Sequence, residues 1–309
     1  MSEAGMQPES PAEPTRCGFV ALLGAPNVGK STLLNALVGA KLAIVSPKPQ
    51  TTRSRIVGIV MEGRAQIVMV DIPGIFQPRR RLDRAMVASA WQGASDADVV
   101  ALVVDCERPN DGETLAIAEK LKAEGRRALL VLNKIDAIAR AELLPLAQRY
   151  NEIGAFTDTF MVSALKGDGI ADLRAALAAK LPEGPHLFPE DQLTDLPQRL
   201  LAAEITREQV FLQLHEEVPY STAVETEKWT ERDDGSVRID QAIYVQREGQ
   251  KAIVLGKGGA RIKSLGQAAR RELEAMLGRR VHLFLFVKVR ENWVEDPERF
   301  SEWGLDWNA

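Results

Sequence analysis

The chain has 309 residues and a formal net charge of −4, with 45% hydrophobic and 27% charged residues, which is typical of a globular protein of two domains. The acidic balance argues against indiscriminate nucleic-acid binding, and no apolar run approaches the ~18 residues of a membrane span. The two cysteines, Cys17 and Cys106, show no CxxC or Cys/His clustering, which argues against disulfides and structural zinc and fits a reducing cytoplasm.

The first segment, residues 1–15, is rich in Pro, Glu and Ser and lacks the basic start and apolar stretch of a secretory signal. We predict a disordered tail that carries no chemistry. The expected location of the protein is the cytoplasm.

Residues 16–181 alternate between apolar, β-rich runs and segments with helical periodicity. The predicted strands are FVALLG, IVGIVM, QIVMVD, VVALVV, ALLVLN and FMVS. This rhythm predicts an α/β domain with a mostly parallel sheet covered by helices. Because only the turn EGRA separates the second strand from the third, this pair is predicted to be antiparallel.

The first predicted strand leads into GAPNVGKS, residues 24–31, which fits the P-loop pattern G-x-x-x-x-G-K-[ST] between a strand and a helix. Gly24 and Gly29 allow the backbone to curl so that its amides face phosphate oxygens. Lys30 is predicted to reach the β and γ phosphates, and Ser31 to bind Mg²⁺.

Two later segments are predicted to complete the phosphate and magnesium site. Asp71 ends the third strand, where it can hold Mg²⁺ through water, and the amide of Gly74 in the same DIPG segment can meet a γ-phosphate. Thr51 and Thr52 lie in the polar loop SPKPQTTRSR and are candidates for the second magnesium ligand, with a simple exposed loop as the alternative.

Two tetrads follow the fifth and sixth strands and indicate the base. They are NKID at 133–136 and SALK at 163–166. The Asp136 carboxylate can accept from both N1–H and the exocyclic amine of guanine, a pair that adenine does not offer. Lys134 is expected to lie over the base, and the Ala164 amide to meet guanine O6. Four such loops at the carboxyl ends of strands predict GTP as the ligand.

Residues 182–198 contain four prolines and little periodicity, which predicts a semi-rigid linker between domains. A smaller domain is predicted at 199–291. Its elements are a helix at about 199–216, strands at about 222–230 and 236–246, a GKGG loop, a helix at about 260–277 and the strand VHLFLFVKV.

The GKGG loop, residues 256–259, lacks the spacing of a nucleotide loop and fits the G-x-x-G turn of a KH domain, which clamps single-stranded RNA. Glycine is expected at 256 and 259 because a Cβ would hold phosphates away. Residues 244–290 carry eleven Lys or Arg against three Glu, although a solvated basic helix start is the alternative. The predicted RNA-binding residues are Gly256, Lys257, Gly258, Gly259, Arg261 and Lys263.

Two features around this loop are less specific. The apolar side chains Ile253, Val254, Ile262 and Leu265 could line a groove for bases, with core packing expected for at least half of them. The acidic, tryptophan-containing tail at 292–309 is expected to form a short helix docked on the KH domain. Docking on another protein or on the nucleotide domain is the alternative.

The motifs PNVGKST, QTTR, DIPG, NKID and SALKG together resemble the Era family of GTPases, and the linker GPHLFPEDQLTD is also similar to that family. The resemblance covers nearly the whole chain. It implies a P-loop GTPase domain followed by a type II KH domain of class α+β, with GTP or GDP and Mg²⁺ as ligands. The implied partner is 16S rRNA near its 3′ end, and the implied role is assembly and maturation of the 30S ribosomal subunit.

The resemblance also assigns roles to individual residues, with Thr52 as the switch threonine and with Asn133 and Asp136 on guanine. The expected nucleotide contacts are Gly24, Asn27, Val28, Gly29, Lys30, Ser31, Thr32, Asp71, Gly74, Asn133, Lys134, Asp136, Ser163, Ala164 and Leu165. The expected catalytic residues are Lys30, Thr52 and Gly74. The expected magnesium ligands are Ser31, Thr52 and Asp71.

Two residues bear on the rate of hydrolysis. Ile75 follows the DIPG glycine, where many small GTPases carry a glutamine that orients the attacking water, so the intrinsic rate is expected to be slow. Asn27 matches the asparagine that in related GTPases helps to hold K⁺ against the phosphates, and simple bracing of the loop is the alternative.

By the same resemblance, GTP is expected to order residues 41–55 and 71–85 and so to change how the KH domain is presented. A monomer is expected. Two other functions stay open on the sequence: a phosphotransferase that uses the P-loop, and a regulator whose basic module makes a peripheral contact with anionic lipid at the cell membrane.

Overall fold

The described part of the chain comprises residues 14–48, 51–53, 55–78, 80–215, 217–291, 293, 297, 300 and 304–309 of a computed structural model. Most of the predicted disordered tail, residues 1–13, lies outside these ranges. Within them, no helix has the length and apolar character needed to cross a lipid bilayer.

The first domain consists of strands and helices in near-regular alternation. Its elements are β1 Arg16–Leu23, α1 Lys30–Val38, β2 Ile56–Glu62, β3 Ala65–Asp71, α2 Arg81–Asp96, β4 Val99–Asp105, α3 Gly112–Ala123, β5 Ala128–Asn133, α4 Arg140–Asn151, β6 Phe156–Val162 and α5 Ile170–Lys180. The six strands form one sheet in the order β2-β3-β1-β4-β5-β6. The β2–β3 pair is antiparallel, as predicted, and the other pairs are parallel.

Helices cover both faces of this sheet, which explains why its strands are apolar without alternation. Val20 and Leu22 of β1 pack on the face that carries α1 and α5. Ala21 and Leu23 of the same strand pack on the opposite face with α2, α3 and α4. Because β1, β3, β4, β5 and β6 are parallel, their carboxyl ends lie at one edge of the sheet, where the loops that follow them meet.

The second domain has the element order that a KH domain predicts. Its elements are α6 Gln198–Gln213, β7 Thr222–Glu231, β8 Val237–Val245, α7 Glu248–Leu255, α8 Ala260–Leu277 and β9 Val281–Val289. The sheet order is β7-β8-β9, with β7 antiparallel and β9 parallel to β8. Val210 of α6, Val254 of α7 and Leu265 of α8 share one buried cluster with Ile243 of β8. The helices thus cover one face of this sheet.

The proline-rich segment between the domains is fastened to the first domain along the edge strand β2. The Ile59 amide donates to the Leu193 carbonyl at 2.8 Å, and the Thr194 hydroxyl donates to the Val57 carbonyl at 2.6 Å. An exposed strand edge is a ready site for unwanted pairing. The segment therefore covers part of this edge as well as joining the domains.

Candidate nucleotide site and RNA loop

The P-loop between β1 and α1 packs so closely on neighbouring strand ends that two of its positions admit only glycine. Gly24 has φ +153°, and a Cβ there would lie 2.7 Å from the Val103 carbonyl oxygen. Gly29 has φ +95°, and a Cβ there would lie 2.3 Å from Asn133 Nδ2. The backbone is held against β4 and β5, so its amides and the N-terminus of α1 face outward.

A cavity of about 340 Å³ opens above this loop, which is large enough for the phosphate end of a nucleotide. Its lining comes from the P-loop, the segment after α1, the DIPG turn and the NKID loop. The lining residues are Pro26, Asn27, Gly29, Lys30, Ser31, Thr32, Ile44, Val45, Ser46, Pro47, Thr51, Thr52, Gly74 and Lys134. A Cβ on Gly74 would lie 3.0 Å from Pro26, so the DIPG turn packs directly on the P-loop.

Lys30 is buried beneath the P-loop, and its Nζ donates to the carbonyls of Gly24 at 3.0 Å and Ala25 at 2.9 Å. Burial lowers the pKa of Lys30 to about 8, and the negative charge of Asp71 offsets only part of this effect. A phosphate beside this ammonium would supply the charge that it lacks. Lys30 is thus placed to bind phosphate, and its own protonation is sensitive to the ligand.

We expect nucleotide binding at pH 8 to take up about half a proton, because about half of the unliganded molecules carry neutral Lys30 at a pH equal to its pKa. Affinity should therefore fall as the pH rises through 8. Calorimetry of GDP binding in buffers of different ionisation enthalpy measures this uptake. Lys30→Arg, which keeps its charge, should show little uptake, and equal uptake by both proteins would contradict the assignment.

Three oxygen-bearing side chains meet beside the cavity. Ser31 Oγ donates to Asp71 Oδ2 at 2.7 Å, Thr52 Oγ1 donates to the same atom at 3.1 Å, and the two hydroxyl oxygens lie 3.0 Å apart. Asp71 Oδ1 is buried and has no hydrogen-bond partner among the described residues. Burial raises the pKa of Asp71, an effect that the Lys30 charge opposes. A buried carboxylate oxygen without a partner, beside two hydroxyls, fits Mg²⁺, which prefers oxygen ligands.

Asn133 links the P-loop to the loop after β6. Its Nδ2 donates to the Val28 carbonyl at 2.9 Å, and its Oδ1 accepts from the Ala164 amide at 3.0 Å. Ala164 is predicted to donate to guanine O6, and in this structure its amide donates to Asn133 Oδ1 instead. The Leu165 amide makes no hydrogen bond with a described residue, and it is the donor left in this loop for O6.

Asp136 and Lys134 stand at the base end of the site. Asp136 Oδ1 accepts from Ser163 Oγ at 2.6 Å, which orients the carboxylate. Lys134 adopts φ +65°, and its Nζ donates to Asp105 at 2.7 Å. The sequence reading missed Asp105, which ends buried strand β4 at the same edge of the sheet and also accepts from Arg108 Nε at 3.1 Å. Because Asp105 lies at the end of a predicted strand, as Asp71 does, its position in the sequence could have indicated that it lies near the nucleotide site.

Ile75, after the DIPG turn, is 8% exposed and packs in the apolar cluster under α2 and α3. Its amide donates to the Gly24 carbonyl at 3.1 Å. The side chain has no hydrogen-bonding group and points its bulk into the core, so it cannot orient a water molecule.

The loop that carries Thr52 is bonded to the second domain. Lys41 forms an ion pair with buried Glu208 on α6, and Glu208 also accepts from the Val45 amide at 2.8 Å. Lys48 Nζ donates at 2.6 Å to the carbonyl of Leu214, the residue that follows α6. A change in the conformation of residues 41–53 therefore acts directly on α6. No short-range pattern in the sequence indicated these contacts.

The GKGG loop joins α7 to α8 in a left-handed backbone conformation. Gly258 and Gly259 have φ +59° and +77°, and a Cβ on either would enter open space. Gly256 differs, because its Cβ would lie 2.7 Å from Arg261 Cβ. The predicted reason for glycine at 256, an approaching phosphate, is therefore incomplete: the fold of the loop itself requires it.

The cations of this loop are exposed and have no ion pair with a described residue. They are Lys257, Arg261 and Lys263. The sheet behaves differently, since Arg238 pairs with Asp240 at 2.9 Å and Lys288 pairs with Glu227 at 2.5 Å. Unpaired positive charge is thus present at the loop, where a phosphate backbone would bind. Of the four apolar side chains considered as a base groove, Val254 and Leu265 are fully buried in the core.

The C-terminal segment contacts both domains. The expected docking on the KH domain holds for Trp293, which is buried and donates from Nε1 to the Ser221 carbonyl at 3.2 Å, and it is wrong for the described residues from Phe300 onward. Phe300 and Leu305 are buried against Ala85 and Met86 of α2, and Trp307 packs at the same cluster. Apolar packing on α2 thus positions this part of the tail. Trp303 lies outside the described residues.

Comparisons with known proteins agree with this geometry. A family model described as a 50S ribosome-binding GTPase matches residues 19–134, and one described as a KH domain matches residues 217–294. The chain is similar to GTPase Era of Afipia carboxidovorans, with 62% identity over 97% of each chain. It is also similar to GTPase Era of Rhizobium meliloti, with 61% identity over 96% of this chain and 94% of that one.

Two solved structures resemble the fold over both domains. One is a crystal structure of Era in complex with MgGDPNP and nucleotides 1506–1542 of 16S ribosomal RNA. The other is a variant of Aquifex aeolicus Era bound to GDP·AlF₄⁻. Each has a TM-score of 0.88 and 41% identity, and covers 94% of this chain and 99% of its own.

Proposed function

Because this chain belongs to the Era family of GTPases, we propose that it is a switch that couples GTP hydrolysis to the binding of 16S rRNA near its 3′ end during maturation of the 30S subunit. The protein hydrolyses GTP to GDP and phosphate. It acts in the cytoplasm as a monomer in this proposal.

One observation carries the proposal more than any other: the loop with Thr52 touches both the nucleotide cavity and α6 of the RNA-binding domain. A γ-phosphate that attracts Thr52 would move residues 41–53. Because Lys41 and Val45 of this loop bond to Glu208, the same movement would shift or release α6. The nucleotide state would then decide how the GKGG loop is presented.

The hydrolytic chemistry follows from the groups that surround the cavity. Lys30 would neutralise the β and γ phosphates, the Gly74 amide would donate to the γ-phosphate, and Asp136 would select guanine. Ser31, Thr52 and Asp71 would hold Mg²⁺. When bound, this ion supplies positive charge against the phosphate oxygens. Since Ile75 cannot orient water, the reaction without a further partner should be slow.

Asn27 is proposed to help bind K⁺ beside the phosphates. Its backbone is left-handed, and its Nδ2 donates to the Pro47 carbonyl at 3.0 Å, which leaves Oδ1 as the atom for a cation. We expect K⁺ to accelerate single-turnover GTP hydrolysis about 10- to 100-fold over Na⁺ at matched ionic strength, and Asn27→Ala to lose most of this difference. Identical rates in both salts for the wild type would contradict it.

The proposed partner can be tested in cells. RNA crosslinked to the full chain by ultraviolet light is sequenced, and reads at the 3′ end of 16S rRNA should dominate. A protein with Asp136→Asn, whose RNA loop is intact, tells whether contact with that RNA needs the GTP cycle. Reads spread over all cellular RNA in proportion to abundance would overturn the proposal.

A further inference from the structure

A second cavity, of about 450 Å³, lies where the nucleotide domain, the linker and α6 meet. Its volume is within the ~300 to 1,000 Å³ range of small-molecule sites. Most of its lining is apolar and includes Ile56, Leu196, Leu200 and Val224. Three arginines and two glutamates also line it, so the lining carries one net positive charge.

Arg53 is one of the arginines, and it is 6% exposed. Its guanidinium donates to three backbone carbonyls between residues 219 and 222 at 2.7 to 3.2 Å. These acceptors are neutral, so they fix the position of the group without compensating its charge. A buried charge held this way is costly.

Arg207 is the second buried arginine, with 4% exposure. Its Nε and Nη2 both donate to the Glu204 carboxylate, at 2.7 and 2.5 Å, which forms an ion pair, and its Nη2 also donates to the Thr51 carbonyl. Its Nη1 is buried and finds no hydrogen-bond partner among the described residues. An unsatisfied nitrogen on a buried cation is a strong donor that lacks an acceptor.

The two guanidinium groups are close enough to interact. Both lie within 6 Å of the Phe211 ring centre, at 5.9 Å for Arg53 and 5.3 Å for Arg207. The pKa of Arg53 is lowered to about 9, mainly by burial and then by the charge of Arg207, whose effect is larger than the opposing effect of Glu204. The pair thus has a deficit of negative charge at one end of an otherwise apolar cavity.

We propose that this cavity binds a small anion with an apolar body, such as an alkyl phosphate monoester or a fatty-type carboxylate. The anionic head draws the Arg207 guanidinium toward the cavity, where its Nη1 gains an acceptor, and offsets the charge of Arg53. The apolar body lies along the side chains contributed by the linker and α6. Neither the anionic head nor the apolar body is sufficient alone. Inorganic phosphate leaves the apolar walls uncovered, and a neutral alcohol leaves the charge of Arg53 without a counter-charge.

Occupancy of the cavity has a consequence for the switch. Arg207 donates to the carbonyl of Thr51, the residue next to Thr52, and Arg53 belongs to the same loop. A ligand that draws Arg207 into the cavity changes the restraint on this loop. The site is therefore a means by which a metabolite could act on the nucleotide-dependent movement, although its existence does not depend on the proposed role in ribosome maturation.

Calorimetric titration of the full chain with butyl phosphate tests the site. The protein is first saturated with Mg²⁺ and GDP, which occupy the P-loop without the γ-phosphate that would move the loop carrying Arg53. Butyl phosphate should bind at least tenfold more tightly than inorganic phosphate or butanol. Arg207→Met should weaken binding at least tenfold, whereas Arg127→Met, which changes an exposed arginine outside the cavity, should not.

Leu200→Trp provides a second variant if Arg207→Met does not fold. Leu200 lines the cavity and is 50% exposed, so a larger side chain can fill the space with little strain in the core. It should also weaken binding at least tenfold while leaving GTP affinity unchanged. Failure of butyl phosphate to bind the wild type, or equal binding by wild type and Leu200→Trp, would show that water alone satisfies these arginines.

Discussion

Asp136→Asn is expected to lower the affinity for GDP and GTP by roughly 10³- to 10⁴-fold and to make xanthine nucleotides the preferred ligands. The carboxylate can accept from N1–H and from the 2-amine of guanine, and Ser163 Oγ fixes its orientation at 2.6 Å. An amide at this position would place an NH₂ donor against the 2-amine, whereas the 2-carbonyl of xanthine would accept from it. Equilibrium titration with guanine and xanthine diphosphates measures both changes.

Ser163→Ala is the matched control for this exchange. It removes the hydroxyl that orients Asp136 but leaves both carboxylate oxygens in place, so guanine affinity should fall far less and no preference for xanthine should appear. Equal GTP affinity in wild type and Asp136→Asn would remove Asp136 from the base site.

Gly259→Asp is expected to reduce RNA affinity about a hundredfold or more, equivalent to about 2.7 kcal/mol, with little effect on GTP hydrolysis. A Cβ at Gly259 meets no neighbour within 4 Å, so apart from the strain of a side chain at φ +77°, the change brings a carboxylate to the place where a phosphate is expected. Lys257 and Arg261 would then face a fixed negative charge. Fluorescence anisotropy with a short single strand from the 3′ end of 16S rRNA measures the loss.

Gly278→Asp separates this electrostatic effect from backbone strain. Gly278 ends the same helix with φ +63°, and its Cβ also meets no neighbour within 4 Å. The two substitutions therefore impose similar strain and the same charge change in one domain. RNA binding should survive Gly278→Asp, and equal losses in both variants would mean that Gly259 matters only for the conformation of the turn.

Sequence reasoning reached the nucleotide site because each of its parts is a short segment at a strand end. GAPNVGKS, DIPG and NKID each carry their chemistry within eight residues, and a parallel sheet brings strand ends together whatever the details of packing. Hydrogen-bond partners inside the site were less accessible. Whether the Ala164 amide serves guanine or Asn133 depends on a side-chain orientation that no spacing determines.

Contacts between residues far apart in the chain could not be predicted from short sequence patterns. The ion pair of Lys41 with Glu208 joins two residues that lie 167 positions apart, and the docking of Leu305 on α2 depends on how the whole second domain is placed. Helix α7 was also missed by periodicity, because eight residues with Gly249 near the start give too short a pattern. Only the resemblance to KH domains implied it.

We propose that one loop transmits the nucleotide state to the RNA-binding domain, and thermodynamic reciprocity tests this transmission most directly. Affinity for the 3′ fragment of 16S rRNA is measured with a non-hydrolysable GTP analogue and with GDP, and the affinities for both nucleotides are measured with and without the RNA. We expect RNA to bind the GTP-analogue form more tightly than the GDP form by about tenfold or more, and RNA to raise the affinity for the analogue relative to GDP by the same factor. RNA affinity that is the same in both nucleotide states would contradict it.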